Sequence, residues 1–367
     1  MSDNSLFRTP APLRRPSWIP PYVEEFDGLR GLAMLGVFFF HARQRMAGCW
    51  LYAPACAGWA GVTLFFVLSG YLITTILLSA REGDGGHYYR NFYGKRALRI
   101  LPVYALFLFA CFCGPDWLLR PALGAIQPWK LLACMILFVQ NLLSAPLLGA
   151  IEPTWALAIE QQYYLLWAPV IKLVRRNWLL AGGLAAAIVA SPMIRYFASG
   201  RLNSMHTLFH LDGLAFGSLL AVAIMTCDWK RRTWWRIAAG MAVSGIGALA
   251  FARGSCLQDS AIGLICAAAV LLALLASGVS QPFTRFLRRG PLVYYGKVSY
   301  GFYLCHVPVI MSLGLFYEFV DRGTGGHILG ANLAVVAVQL AMSTAVAALL
   351  QCSVERPLLA CKRYFRD

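Results

Sequence analysis

Charge is what this sequence has little of. Asp, Glu, Lys and Arg make up 13% of its 367 residues, about half the share of an ordinary soluble domain. Long polar stretches are scarce too: the longest are the 27 residues before the first apolar run and the 81–97 loop. Little is left for a separate soluble domain. No small-residue cleavage site follows the first apolar run at signal-peptide distance, so that run is expected to stay in place. No Cys and His spacing has the form of a zinc site, and no metal is expected. The 32 basic residues outnumber 16 acidic ones, a net charge of +16. They punctuate apolar runs and form no continuous patch with interleaved stacking aromatics, which argues against a nucleic-acid partner.

Apolar residues are what the sequence has, at 59%. Runs of about 17–25 residues, each long enough to cross the hydrocarbon core, occur near 28–46, 59–80, 98–114, 155–173, 178–198, 208–227, 237–252, 260–279, 293–319 and 329–352. The expected fold is an all-α integral membrane protein of about ten transmembrane helices. Residues 28–353 form the bundle, between cytoplasmic tails 1–27 and 354–367. Residues 131–145 are apolar but short, and are read as a re-entrant or buried helical segment on the outer side. With the N-terminus inside, twenty-two Lys and Arg fall on inner segments and eight on outer ones, as the positive-inside rule requires. Counting 131–145 as a span would put Lys230, Arg231, Arg232 and the basic C-terminus outside. Both termini are therefore expected in the cytoplasm, with the bundle in the inner (plasma) membrane. Cys49 and Cys56 share the first loop, either as a disulfide or as two thiols.

The first run carries Arg30 and His41, eleven residues apart, where a span needs neither. At 100° per residue they fall within roughly 20° of one face, about 16 Å apart along the axis. An ionisable pair so aligned is a candidate functional site. Arg30 alone would read as snorkelling. Arg96 and Arg99, spaced i,i+3 at the inner start of the 98–114 run, form a fork suited to phosphates; a plain positive-inside anchor is the alternative. His41 lies in the outer half, where an imidazole can take a proton from a hydroxyl. Glu160 and Asp212 enter their runs at comparable depth, and either carboxylate could orient His41 as the third member of a triad. Each could equally be a carboxylate held by its own helix N-terminus. Ser299, Tyr303 and His306 share one stripe before the helix-breaking Pro308; His306 could instead serve interhelical hydrogen bonding. Ser69-Gly70 allows close helix approach, with a polar role for Ser69 second.

These segments together resemble the acyltransferase type 3 family of polytopic membrane O-acyltransferases, from Phe26 to Pro357. The resemblance rests on Phe26-Asp27-Gly28-Leu29-Arg30-Gly31 with His41, Phe65-Phe66-Val67-Leu68-Ser69-Gly70-Tyr71, and Arg96-Ala97-Leu98-Arg99-Ile100-Leu101-Pro102. It continues through Thr154-Trp155-Ala156-Leu157-Ala158-Ile159-Glu160, Ser299-Tyr300-Gly301-Phe302-Tyr303-Leu304-Cys305-His306, and Glu355-Arg356-Pro357. It implies transfer of an acyl group, usually acetyl, from cytoplasmic acyl-CoA (acetyl-CoA) to a hydroxyl of a surface or lipid-linked carbohydrate. The family's Arg and His fall on Arg30 and His41, and its R-x-x-R pair on Arg96 and Arg99. Ala156 stands where relatives often have Ser. Many relatives carry an appended extracytoplasmic domain; this chain, ending at Asp367, is expected to act alone on its glycan acceptor or with a separate extracytoplasmic partner.

The mechanism these residues permit has Arg30, Arg96 and Arg99 holding the phosphates of coenzyme A. The pantetheine arm rises toward His41, and His41 deprotonates the acceptor hydroxyl. A covalent route through Tyr303 or Ser69 is the variant. The rival class is a transporter whose Arg, His and Glu line a substrate or proton pathway, although no inverted repeat is evident. A non-catalytic subunit of polysaccharide export is a third reading.

Overall fold

The computed structural model describes residues 16–119, 126–144, 147–321, 329–361 and 364. Among the described residues there is no strand, and ten helices of at least 16 residues order the chain. They are α1 (Glu24–Ala42), α2 (Ala60–Ala80), α3 (Gly85–Cys113), α4 (Thr154–Leu173), α5 (Asn177–Ala198), α6 (Leu211–Thr226), α7 (Arg231–Ala252), α8 (Gln258–Ala276), α9 (Gly290–Asp321) and α10 (Leu329–Leu350). Each overlaps one of the ten apolar runs. By length and composition, six of the helical elements are able to cross a membrane. They are the ones containing α2, α3, α5, α7, α8 and α10. Helix α6, at 16 residues, is shorter, and α1 carries Glu24, Glu25, Asp27 and Arg30 near its start. Large apolar side chains such as Met193, Phe197, Val243 and Phe251 face outward, as they do where the solvent is lipid. The protein is a multi-pass membrane protein.

Helices α2 and α8 are mostly buried while α5 and α7 lie at the periphery. Helix α1 runs along α9, and α2 along α6. Both crossings are as close as backbones allow. A Cβ at Gly31 would sit 2.0 Å from the Leu292 carbonyl oxygen, and one at Gly296 1.9 Å from that of Asp27. Gly70 and Gly217 serve the α2–α6 crossing in the same way, at 2.1 and 1.9 Å from the carbonyl oxygens of Leu214 and Val67. Gly70 therefore does what Ser69-Gly70 was first expected to do.

Two expectations change. First, α1 starts at Glu24, ahead of the 28–46 apolar run, and Ile19, Val23, Glu25 and Phe26 are buried. Buried Glu25 is paired with Arg288 at 2.5 Å and accepts from Ser277 at 3.2 Å, so burying its charge is offset. Residues 1–15 of the proposed tail, and 362, 363 and 365–367 of the C-terminal one, lie outside the described residues. Second, α3 begins at Gly85, capped by the Asp84 side chain, which puts Arg96 and Arg99 inside a helix and not at its start. As expected of a short segment, 131–145 forms no spanning helix: it overlaps a nine-residue helix, Pro128–Ile136, after which Phe138 takes φ 54°. At about 1.5 Å per residue it is too short to span; Ser144 is its last described residue before 147. Cys49 and Cys56 are free thiols.

Candidate active site

Two cavities lie back to back inside the bundle. The first, about 110 Å³, is lined by Arg30 of α1, Ser69 of α2, Arg96 and Arg99 of α3, Glu160 and Tyr164 of α4, and Ser299, Tyr300 and Tyr303 of α9. The i,i+3 spacing brings both α3 guanidiniums to one face, and helix α1 brings the third. Arg30 is anchored by Asp27 at 3.3 Å, which also accepts from the Tyr22 hydroxyl. The Arg96 guanidinium lies over the Tyr164 ring at 5.8 Å. Glu160 accepts from Ser69 Oγ at 2.6 Å and from the Tyr164 hydroxyl at 3.3 Å, one on each oxygen. Three guanidiniums thus share a cavity with a carboxylate already occupied by two hydroxyl donors. Guanidinium forks so grouped have the chemistry that pairs with anionic oxygens.

The second cavity, about 270 Å³, is lined by Val37, Phe40, His41, Trp59, Glu152, Trp155, Ser204, His210, Asp259 and Tyr303 among others. Its walls combine aromatic faces with polar tips: the Trp155 and His210 rings are 4.7 Å apart. Partial burial raises the Glu152 carboxyl above its ordinary range, and the nearby Arg43 charge works against that rise.

His41 is fixed by a second imidazole. His306 Nδ1 is 2.7 Å from the Tyr303 carbonyl oxygen, and its Nε2 is 3.3 Å from His41 Nδ1. His41 Nδ1 is also 2.9 Å from the Val37 carbonyl oxygen. A carbonyl only accepts, so His306 carries its proton on Nδ1 and leaves Nε2 as an acceptor. His41 then donates from Nδ1, shared between Val37 and His306, and its Nε2 lone pair is free. A neutral imidazole so arranged is a proton acceptor.

Neither carboxylate expected beside His41 is bonded to it. Glu160 belongs to the guanidinium cavity. Asp212, 3% exposed, is bound by Arg195 at 2.7 Å and Ser260 at 2.6 Å, and caps its own neighbour Gly213. Its role is to clamp the ends of α5, α6 and α8. Arg195 also donates to the carbonyl oxygens of Phe209 and Cys256, a hub that its place at a helix end did not announce. The Tyr303 hydroxyl donates to the Pro153 carbonyl oxygen at 2.8 Å, and Ser69 to Glu160. Of the stripe, Ser299 lines the first cavity and Tyr303 lines both, while His306 is fully buried and lines neither. Arg30 and His41, expected to share one cavity, line different ones. Tyr164, Trp155 and His210 were not singled out; the i,i+4 spacing of Glu160 and Tyr164 was the one available signal. Among the described residues, no group of three or more His, Cys, Asp or Glu side chains is placed to hold a metal ion.

The family model described as acyltransferase domain matches residues 23–352. The O-acetyltransferase OatA of Staphylococcus aureus strain NCTC 8325 is 28% identical over 334 residues, covering 81% of this chain and 52% of that protein. The peptidoglycan O-acetyltransferase OatA of Listeria monocytogenes serovar 1/2a is 28% identical over 324 residues, covering 79% and 49%. The putative peptidoglycan O-acetyltransferase YrhL of Bacillus subtilis strain 168 is 28% identical over 346 residues, with the same coverage. The chain spans about half the length of these relatives. No solved structure matches it.

Proposed function

The chain belongs to the acyltransferase domain family, and from that premise we propose that it is a membrane O-acetyltransferase. It moves an acetyl group from cytoplasmic acetyl-CoA to a carbohydrate hydroxyl on the far side of the membrane. The observation that carries this reading is the pairing of a three-guanidinium cavity with a second cavity holding a tautomer-fixed histidine. Arg30, Arg96 and Arg99 bind the 3′-phosphate and diphosphate of the donor, each through charge-assisted hydrogen bonds. The acceptor occupies the second cavity, where Trp59 and Trp155 offer flat faces to a sugar ring and Glu152 and Asp259 accept from its hydroxyls. The names of the relatives favour a cell-wall glycan as acceptor.

In the reaction, His41 Nε2 takes the hydroxyl proton as the oxygen attacks the thioester carbonyl. The C–O ester bond forms, the C–S bond breaks, and the proton passes from His41 to the departing thiolate. This direct route needs no acyl-enzyme; the covalent variant runs through Ser69, whose Oγ donates to the Glu160 carboxylate at 2.6 Å, and would leave an acetylated Ser69 peptide in a mass spectrum. The ten long helices all cross the inner (plasma) membrane, both termini are cytoplasmic, and the guanidinium cavity opens to the cytoplasm.

The test uses detergent-purified full chain with acetyl-CoA and a pool of muropeptides, N-acetylglucosamine oligomers and lipopolysaccharide. Wild type should release coenzyme A thiol and yield a glycan 42 Da heavier, a mass set by one acetyl for one proton (about that value for any O-acetyl ester). His41→Ala should do both at least about 100-fold more slowly while retaining its melting transition. Near-normal acetylation by His41→Ala would remove the proposed base. Two cavities on a shared axis would also suit a transporter; substrate uptake by proteoliposomes without thiol release would decide for it.

A further inference from the structure

The two cavities have three lining side chains in common: Val62, Phe66 and Tyr303. They come from α2 and α9 and make a partition one side chain thick. Two of the three are pinned. The Tyr303 hydroxyl is bonded to Pro153 at 2.8 Å, and its ring packs edge-on against Phe65 at 6.3 Å. Phe66, 2% exposed, packs edge-on against Trp155 at 6.0 Å, and its Cβ would lie 3.1 Å from a Cβ at Gly213. Val62 sits one turn before Phe66 on the same helix face. It is partly exposed and has no polar group to hold it. The partition between the cavities is therefore made of two fixed rings and one short branched side chain.

We propose that Val62, set against the Phe66 and Tyr303 rings, determines the length of the acyl group the protein transfers. This rests on the reading above, in which the thioester comes from the guanidinium side and the hydroxyl from the His41 side. The two reactants meet only at the partition, so the carbonyl carbon must reach it with its acyl tail packed against these three side chains. An acetyl tail is one methyl. Each further methylene must fit between rings that cannot retreat without breaking the Pro153 bond or the Trp155 contact. A single methylene in such an apolar fit discriminates by about 10–200-fold.

The experiment compares acetyl-, propionyl- and butyryl-CoA as donors with the purified full chain and the same glycan pool, reading kcat/KM for each. Wild type should fall by about tenfold or more per added methylene. Val62→Ala should raise the butyryl-to-acetyl ratio by about tenfold or more, and Val62→Leu should lower the propionyl-to-acetyl ratio. Opposite shifts from a smaller and a larger side chain separate aperture width from general loss of folding. If wild type transfers acetyl and both variants keep its ratios, the partition does not set acyl length, while the acyltransferase reading stands. If wild type uses no acyl-CoA at all, that reading fails and this inference with it.

Discussion

At the scale of single residues, His306 occupies the place a carboxylate was expected to take beside His41. A neutral imidazole can fix the tautomer of its neighbour but lends no negative charge to an imidazolium. Its contribution is orientation, so what matters is an acceptor at that position. His41→Ala should lower kcat by about 10²–10⁴-fold. His306→Ala should lower it less, with KM for acetyl-CoA unchanged. His306→Gln, whose amide oxygen can accept from His41 Nδ1, should recover part of the loss; recovery by Ala and Gln alike would mean that His306 only fills space. The guanidiniums should separate cleanly from this pair. A charge-assisted hydrogen bond contributes about 1.5–3 kcal/mol, so Arg96→Ala or Arg99→Ala should raise KM for acetyl-CoA by about 10–100-fold. Lys at either position keeps the charge but loses the planar fork, and should fall between. Equal KM values for Arg, Lys and Ala would show that donor phosphates do not bind there.

At the scale of elements, the close crossings make glycine positions unequal. Gly31→Ala and Gly296→Ala place a methyl about 2 Å from a backbone oxygen of the partner helix, a clash that only separation of α1 from α9 relieves. Both should lower the melting temperature in detergent sharply. Gly182→Ala and Gly240→Ala, in helices α5 and α7 with open space at the Cβ, should be neutral or raise stability by up to about 1 kcal/mol. The buried Arg195–Asp212 pair predicts a further asymmetry. Removing one partner leaves a buried charge and should cost about 3–5 kcal/mol, whereas Arg195→Met with Asp212→Leu should cost less than either alone. Chemical denaturation of the three variants measures it.

The helices themselves were legible because a spanning helix must be apolar along its length: each of the ten runs overlaps a helix, and six of the helical elements are long and apolar enough to cross a membrane. Boundaries failed where apolarity and helicity part company: residues 85–97 carry His87, Arg90, Asn91 and Lys95 yet are helical, because Asp84 caps the helix and nothing polar need break it. The site was legible as a set and not as contacts. Arg30, Arg96, Arg99 and Glu160 do share a cavity, but periodicity along one helix carries no information on which helix packs opposite. Asp212 was assigned by depth alone, and depth cannot distinguish His41 from Arg195.

Across the whole molecule, the proposed reaction depends on sidedness. In the proposed reaction a cytoplasmic donor reaches the guanidinium cavity only if α1 enters from the cytoplasm, which puts Gly200, between α5 and α6, outside and Asp228, between α6 and α7, inside. The basic cluster Lys230-Arg231-Arg232 begins just after Asp228, and no comparable cluster lies near Gly200. Gly200 has φ 78° and open space around it, so an inserted protease site there disturbs no packing. In intact spheroplasts, external protease should cut the chain carrying the site at Gly200 and spare the one carrying it at Asp228, with both cut after detergent lysis. The reverse pattern would put Arg30, Arg96 and Arg99 on the face that cytoplasmic acetyl-CoA never reaches, and the assignment of donor and acceptor cavities would have to be exchanged or given up.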